Sequence, residues 1–327
     1  MIKQNDNMPK VSVIIPVYGV EKYIERCARS LFEQTLDDIE YLFIDDCTPD
    51  KSVDILKHVL EEYPQRKSQV VIHRMEKNSG QAAVRKWGML NATGDYVIHC
   101  DSDDWLDNDA YSIMYQYACD KDVDIVVSDY FISDSYKKNK IVSGASKEDI
   151  NNFISSCLLQ KYSWALWNKM ICKRLCRKGI SIWPSSNMGE DFLMFFQMLF
   201  HANSMGYINK PLYYYFSNDQ SISFEIGKEK DMKRFFQIYD NAKHLFSIIN
   251  TLGYSNKYST EMTCFAYYVK SYIAKYVDDI IIYNKWKETF KEHNKRILLN
   301  SKIGIYNKLL YILTMLRIYP YLKKSKE

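Results

Sequence analysis

Several common protein classes are excluded by what this sequence lacks. No run approaches 18 consecutive apolar residues, so no membrane-spanning helix is expected. The opening residues MIKQNDNMPK contain no apolar segment, so no signal peptide is expected either. There is no G-x-G-x-x-G, G-x-x-x-x-G-K-S/T, H-E-x-x-H or G-x-S-x-G motif, which argues against a dinucleotide fingerprint, a P-loop, a zinc protease and an α/β-hydrolase.

Charge and cysteine content narrow the classes further. A formal net charge of +4 over 327 residues is too small to indicate a nucleic-acid partner. The eight cysteines include no CxxC pair, and Cys172 and Cys176 have no second pair that would complete a zinc site. We therefore expect reduced, mostly buried thiols in a cytoplasmic protein.

The first 130 residues alternate between two hydrophobic periods. Apolar, β-branched runs typical of buried strands lie at residues 11–17, 41–45, 70–74, 95–100 and 124–130. Segments with helical spacing lie between them, at residues 21–34, 53–60, 81–91 and 109–119. This alternation predicts an α/β fold, in which right-handed βαβ units build a mostly parallel sheet flanked by helices.

The C-terminal part differs in pattern and charge. From about residue 228 the chain has helical spacing and many tyrosines, and residues 284–327 carry a net charge of +8. Residues 305–319 are apolar and aromatic, and Lys323, Lys324 and Lys326 follow. Two interpretations stay open: this end binds an anionic membrane surface, or it packs on the body as a helix with a frayed basic terminus.

The strongest functional signal is the acidic cluster Asp101-Ser102-Asp103-Asp104, which follows the fourth strand. Three carboxylates so close together repel one another, and Mg²⁺ or Mn²⁺ would compensate their charge with oxygen ligands. Alternatively, the cluster is a solvated loop or a helix N-cap. Ligands of parallel sheets bind beyond the carboxyl ends of the strands, so the position favours a metal site.

Three further segments carry candidate site residues. Asp45 and Asp46 end the second strand and could accept hydrogen bonds from a nucleobase or ribose, or could belong only to the turn that follows. The loop 78–80 precedes a helix whose Arg85 could reach a phosphate or pair with a surface carboxylate. Glu190-Asp191 precedes an apolar helical stretch. The pair could be an N-cap stabilised by the helix dipole, or it could supply the general base of a reaction.

Four segments, in their order along the chain, together resemble glycosyltransferase family 2, which has the GT-A fold: VSVIIPVY (11–18), FIDDCTPD (43–50), NSGQAAVRKWGMLNATGDYVIHCDSDDWL (78–106) and GED (189–191). The resemblance covers residues 10–220. It implies that eight residues bind the nucleotide sugar: Pro16, Tyr18, Asp45, Asp46, Asn78, Arg85, Asp101 and Ser102. Among these, it implies that Asp46 binds the base and that Arg85 lies near the phosphates.

The resemblance also implies the chemistry of individual positions. Its metal ligands would come from Asp101, Asp103 and Asp104. Asp191 would be the catalytic base, with Glu190 as its neighbour. Trp167 and Lys169 lie in WALWNKMICKR, which resembles the acceptor-side region. Cys47 departs from the pattern, because a glycine often follows the aspartate pair.

As a whole, the resemblance implies an inverting, Mn²⁺- or Mg²⁺-dependent glycosyltransferase. It would move a sugar from a nucleoside-diphosphate sugar, with UDP expected, to a hydroxyl of a glycan or lipid-linked oligosaccharide in cell-surface polysaccharide synthesis. Residues 1–224 would form the catalytic GT-A domain, and residues 225–327 a helical region at the inner face of the plasma membrane. Two alternatives stay open: a sugar nucleotidyltransferase, which would need a Gly-rich basic loop after the first strand, and a non-catalytic carbohydrate- or nucleotide-binding module.

Overall fold

A nine-stranded, mostly parallel sheet flanked by helices organises the computed structural model, which describes residues 8–134, 139–217 and 227–324. The strands of these residues are β1 (Val11–Val17), β2 (Ile39–Asp45), β3 (Val70–Arg74), β4 (Tyr96–His99), β5 (Trp105–Leu106), β6 (Ile125–Ser133), β7 (Asn139–Val142), β8 (Lys169–Cys172) and β9 (Met205–Phe216). The first seven helices are α1 (Ile24–Phe32), α2 (Ser52–Glu61), α3 (Gln81–Asn91), α4 (Ala110–Lys121), α5 (Ile150–Leu158), α6 (Lys173–Lys178) and α7 (Glu190–His201).

The C-terminal helices are α8 (Lys228–Thr251), α9 (Ser259–Ala274), α10 (Ile280–Glu288), α11 (Asn294–Leu299), α12 (Ile305–Met315) and α13 (Tyr319–Lys324). Side chains of α8 and α9, among them Phe235 and Phe265, share one hydrophobic core with Ile14 of β1 and Phe196 of α7. The predicted boundary at residues 224 and 225 lies outside the described residues, and packing continues on both sides of it. Within the described ranges, no helix has the length and apolar character needed to cross a bilayer.

Strand order and direction agree with the predicted fold class. The order is β3-β2-β1-β4-β8-β6-β9-β5, with β7 paired to β6. Strand β1 is parallel to β2 and β4, β2 is parallel to β3, and β6 is parallel to β9. Six of the nine strands in residues 8–134, 139–217 and 227–324 therefore run in one direction, which confirms the mostly parallel sheet.

Strand β8 departs from simple βαβ alternation. It lies between β4 and β6 and is antiparallel to both, with Tyr96 opposite Cys172 and Ile125 opposite Ile171. The sequence pattern predicts the strands at 95–100 and 124–130 but not this insertion between them. Four residues in an irregular stretch are too few to show a hydrophobic period, so long-range pairing decided the centre of the sheet.

The central strands are buried on both faces because successive side chains point to opposite sides of a sheet. In β1, Val13 and Ile15 contact one hydrophobic core, and Ile14 contacts the other. Helices cover both faces, as the near-continuous apolar run of β1 predicts. The polar segments that follow β1, β2 and β4 therefore project from one edge of the sheet.

Candidate active site

A cavity of about 380 Å³ beyond the carboxyl end of β4 collects candidate residues from distant parts of the chain. Asp101 follows β4, Arg85 lies on α3, and Glu190 and Asp191 begin α7. All four line the cavity. Of the four, Asp101 is the residue whose position after a strand predicts a ligand site at this edge of the sheet, and the fold brings the other three beside it.

Arg85 links the two acidic segments of the cavity. Its guanidinium donates to Glu190 over 2.6 Å and to Asp101 over 2.9 Å, and only 4% of its side chain is exposed. Burial opposes its charge, but the carboxylates of Asp101, Glu190 and Asp191 together raise the pKa of Arg85 above its usual value. Its partners are thus one buried and one partly buried carboxylate at the cavity, and not the surface carboxylate of the alternative interpretation.

The start of α7 presents Asp191 to the cavity. Gly189 precedes the helix with φ of +81°, and a Cβ there would collide with the Phe192 ring, so only glycine fits without strain. The Asp191 carboxylate accepts the Phe192 N–H over 2.7 Å. Burial raises the pKa of Asp191, and the neighbouring cations Arg85 and Lys169 oppose that rise. A raised pKa suits a group that must accept a proton.

Glu190 is the more deeply buried of the two acidic residues and is held by Arg85. Burial raises the pKa of Glu190, and the charge of Arg85 opposes the rise. Since its ion pair turns it toward Arg85, Glu190 positions that guanidinium. Asp191 lines the cavity beside it, and its role as the base stays a prediction.

The acidic cluster after β4 divides into two kinds of carboxylate. Asp104 is fully buried and accepts from the Tyr213 hydroxyl over 2.5 Å and the Phe216 N–H over 2.7 Å. Asp101 lines the cavity with 23% of its side chain exposed. Burial, together with the Asp101 charge, raises the pKa of Asp103 to about 6. Asp104 therefore anchors the cluster to β9. The sequence predicted a metal ligand at this position and not an anchor.

Asp101 and Asp103 fit a divalent cation. Both are hard oxygen donors, and their mutual repulsion would be relieved by positive charge. No group of three or more His, Cys, Asp or Glu side chains in residues 8–134, 139–217 and 227–324 is arranged to hold a metal. Mg²⁺ sites commonly use one or two carboxylates together with substrate phosphates, a pattern that two residues can satisfy.

The two aspartates at the carboxyl end of β2 hold loops in place. Asp46 accepts the N–H groups of Ser79 and Gly80 over 2.7 and 2.8 Å. Asp45 accepts the Thr48 N–H over 2.7 Å and a bond from Arg74 over 2.6 Å. Both carboxylates are buried, so each already has protein partners. Binding of a nucleobase by Asp46 stays a prediction. In this structure the Asp46 carboxylate positions loop 78–80.

The remaining nucleotide candidates lie near these loops with different exposure. Tyr18 is 50% exposed and follows β1, while Pro16 is half-buried within β1. Asn78 is exposed, and Ser102 is buried. Cys47 has φ of +57°, in the left-handed region that favours glycine, which gives the physical reason for a glycine at this position in similar sequences.

Trp167 and Lys169 form a rigid support behind the cavity. Trp167 lines it and stacks on Tyr213 and Tyr215, with ring centroids 4.5 and 5.7 Å away. Lys169 is fully buried, and burial lowers its pKa to about 8. Its ammonium group donates to the Ser163 and Ala165 carbonyls over 2.9 and 2.7 Å, so it holds the loop that carries Trp167.

The sequence pattern did not identify a contribution from the C-terminal helices. Tyr268 and Tyr272 of α9 line the same cavity, together with Ile238 of α8. Because the two tyrosines are four residues apart, the sequence indicates that they share one face of a helix. Only the packing of α9 shows what that face contacts.

Comparisons with known proteins agree with this geometry. The sequence profile of the family described as Glycosyl transferase family 2 matches residues 12–175. EpsH of Bacillus subtilis is 31% identical over 215 residues, 63% of this chain and 60% of EpsH. Glycosyltransferase GlyA of Streptococcus pneumoniae is 27% identical over 259 residues, 75% of this chain and 35% of GlyA. This chain thus spans less than two thirds of either relative's length.

Solved structures share the fold at low sequence identity. S. aureus TarS 1–349 in complex with UDP-GlcNAc has a TM-score of 0.72 at 17% identity and covers 97% of this chain and 91% of that chain. The mannosyltransferase PcManGT from Pyrobaculum calidifontis, in complex with GDP-Man and Mn²⁺, has a TM-score of 0.54 at 12% identity and covers 95% and 87%. The GT-A fold with a helical C-terminal region is confirmed.

Proposed function

The chain belongs to glycosyl transferase family 2, and from this premise we propose that it is an inverting transferase that uses a nucleoside-diphosphate sugar. The expected donor is a UDP-sugar, and TarS, whose fold it shares, was solved with UDP-GlcNAc. The acceptor is a hydroxyl of a glycan or lipid-linked saccharide in cell-surface polysaccharide synthesis. The observation that carries this proposal is the shared cavity of Asp101, Arg85 and Asp191.

The proposed reaction assigns one task to each side chain. Asp191 accepts the proton of the acceptor hydroxyl as that oxygen attacks the anomeric carbon. The bond from that carbon to the diphosphate oxygen breaks on the opposite side, so configuration inverts without a protein nucleophile. Arg85 holds Asp101 and Glu190 in place throughout.

Asp101 and Asp103 are the proposed ligands of a Mn²⁺ or Mg²⁺ ion. Such an ion, when bound, neutralises charge on the nucleoside diphosphate that leaves. The chain's own contribution is to hold Asp101 at the cavity through Arg85 and to fix the acidic segment to β9 through Asp104.

Donor turnover tests the proposed function directly. We expect release of UDP from at least one of UDP-glucose, UDP-galactose or UDP-GlcNAc with Mn²⁺, and loss of that release when EDTA removes the ion. Pyrophosphate release from UTP and a sugar 1-phosphate would instead indicate a nucleotidyltransferase. Binding of donor without turnover, under acceptor saturation, would indicate a binding module.

We further propose that α12 rests on an anionic membrane. Ile305, Leu309, Ile312 and Leu316 recur at helical spacing from the start of α12 to its C-cap and are 84%, 52%, 40% and 62% exposed. Tyr311 and Thr314 on the opposite side are buried against the body. The helix therefore packs with one face and leaves an apolar face free.

The basic charge of this end supports an anionic membrane as the proposed partner of that free face. Residues 284–327 carry a net charge of +8, which complements anionic lipid headgroups, while apolar side chains enter the acyl boundary. A protein bound in this way would lie at the inner face of the plasma membrane, where a lipid-linked acceptor is accessible.

Vesicle co-sedimentation tests the membrane contact. We expect the wild type to pellet with phosphatidylglycerol–phosphatidylcholine vesicles, and the double variant Leu309→Glu, Leu316→Glu to stay in the supernatant. Leu90→Glu, a comparable change on the exposed surface of α3, should pellet like wild type. Equal pelleting of all three proteins, or a dimer that the double variant abolishes, would contradict the proposal.

A further inference from the structure

Two tyrosines from the C-terminal region form one wall of the catalytic cavity. Tyr268 and Tyr272 are one turn apart on α9, and their hydroxyl oxygens lie 2.5 Å from each other. Both side chains line the cavity that holds Asp101 and Asp191. They lie far beyond residues 12–175, the part of the chain that matches the family profile.

This wall is held rigidly by aromatic packing. The Tyr268 ring lies edge-on to Trp164 at 5.6 Å and to Phe265 at 5.8 Å. The Trp164 indole donates to the Cys157 carbonyl over 2.8 Å, which fixes its orientation. A wall with this support presents the same surface to each ligand and needs little reordering on binding.

The hydroxyl pair retains hydrogen-bonding capacity. One hydroxyl donates to the other, so one hydrogen and several lone pairs remain for a ligand in the cavity. The wall is uncharged and aromatic, whereas the diphosphate of a donor would bind the divalent ion proposed at Asp101 and Asp103. Sugar rings offer apolar C–H faces and many hydroxyls, which is the chemistry that two tyrosines can bind.

We propose that Tyr268 and Tyr272 form the acceptor-binding wall, which positions a neutral saccharide so that its reacting hydroxyl faces Asp191. The inference rests on the proposed function, because Asp191 acts there as the base. It makes α9 a determinant of acceptor specificity. The GT-A part of the chain binds the donor, and the C-terminal helices complete the site for the second substrate.

The test separates acceptor binding from donor chemistry. Tyr268→Phe and Tyr272→Phe remove one hydroxyl each and keep the packing. With methyl glucoside, methyl galactoside and methyl N-acetylglucosaminide as acceptors, we expect each variant to raise the acceptor KM by about three- to tenfold, the effect of one lost hydrogen bond. The donor KM should stay at its wild-type value.

Tyr267→Phe is the matched control on the same helix. Its hydroxyl donates to the Asn307 carbonyl over 3.2 Å, and Tyr267 is not among the residues that line the catalytic cavity. This variant should keep the wild-type acceptor KM. An unchanged acceptor KM in both Tyr268→Phe and Tyr272→Phe, or a donor KM raised in parallel, would overturn the acceptor wall.

Failure of the proposed function would give a different result. In that case the wild type would release no UDP from any nucleotide sugar. Saturation-transfer NMR with the same three methyl glycosides would then still test the wall, since the signals should weaken in the double variant Tyr268→Phe, Tyr272→Phe and persist in Tyr267→Phe. Signals of equal strength in all the proteins would reject saccharide binding at this wall.

Discussion

Replacing Asp191 by asparagine is expected to slow sugar transfer by about 10²- to 10⁴-fold, the contribution of a positioned general base. The amide keeps the size of the side chain and can still accept the Phe192 N–H bond, but it cannot take the acceptor proton. The measurement is kcat with saturating UDP-sugar and acceptor. Donor binding should change little, because the proposed role begins with the acceptor.

A control variant and the pH dependence of the rate give two further expected results for Asp191 as the base. Asp240→Asn, a change on the exposed side of α8, should keep wild-type turnover. The wild-type rate should fall as pH decreases through the raised pKa of Asp191, since protonation removes the base. An Asp191→Asn enzyme with normal turnover would move the base elsewhere in the cavity.

Arg85→Leu is expected to lower the free energy of unfolding by about 3–5 kcal/mol, the cost of removing one partner from a buried ion pair. Arg85 is 4% exposed and Glu190 6%, so water cannot replace the lost guanidinium. Urea unfolding followed by circular dichroism measures the change. Transfer activity should be lost as well, because Asp101 loses the group that holds it.

A surface ion pair provides the matched control. Arg29 pairs with Glu62 over 2.8 Å, but both side chains are about a third or more exposed. Arg29→Leu should therefore cost only about 0–1 kcal/mol. The Arg85→Leu deficit should shrink at lower pH, because burial raises the pKa of Glu190 and protonation removes its unpaired charge. Equal losses in the two variants would show that the Arg85 network is not a buried ion pair.

The elements of the first half of the chain follow from local sequence. The predicted strand at 70–74 and helix at 81–91 coincide with Val70–Arg74 and Gln81–Asn91. Strand and helix impose periods of two and 3.6 residues, and a sequence of this length displays them clearly. The same logic placed Asp101 at a strand end, and the rule for parallel sheets then predicted the edge at which it lies.

The partners of each acidic side chain required the folded chain. Asp46 and Asp104 look equivalent to Asp101 in sequence, yet their carboxylates bind the N–H groups of loop 78–80 and of β9. Those partners lie between 33 and 112 residues away along the chain. No local pattern encodes such distances. The sequence therefore could not distinguish the carboxylates that would bind a metal ion or a nucleobase from those that anchor loops and strands.

The amino-acid order alone therefore determined the α/β class, the edge of the sheet that bears carboxylates and the basic character of the C-terminal end. Hydrophobic period and charge are properties of neighbouring residues, and they need no knowledge of the rest of the fold. Tertiary structure decided that β8 enters the sheet, that Arg85 lies between Asp101 and Glu190, and that α9 closes the cavity. These features depend on packing between segments that are distant in the sequence. That packing stabilises the protein only when the chain has folded around a common core.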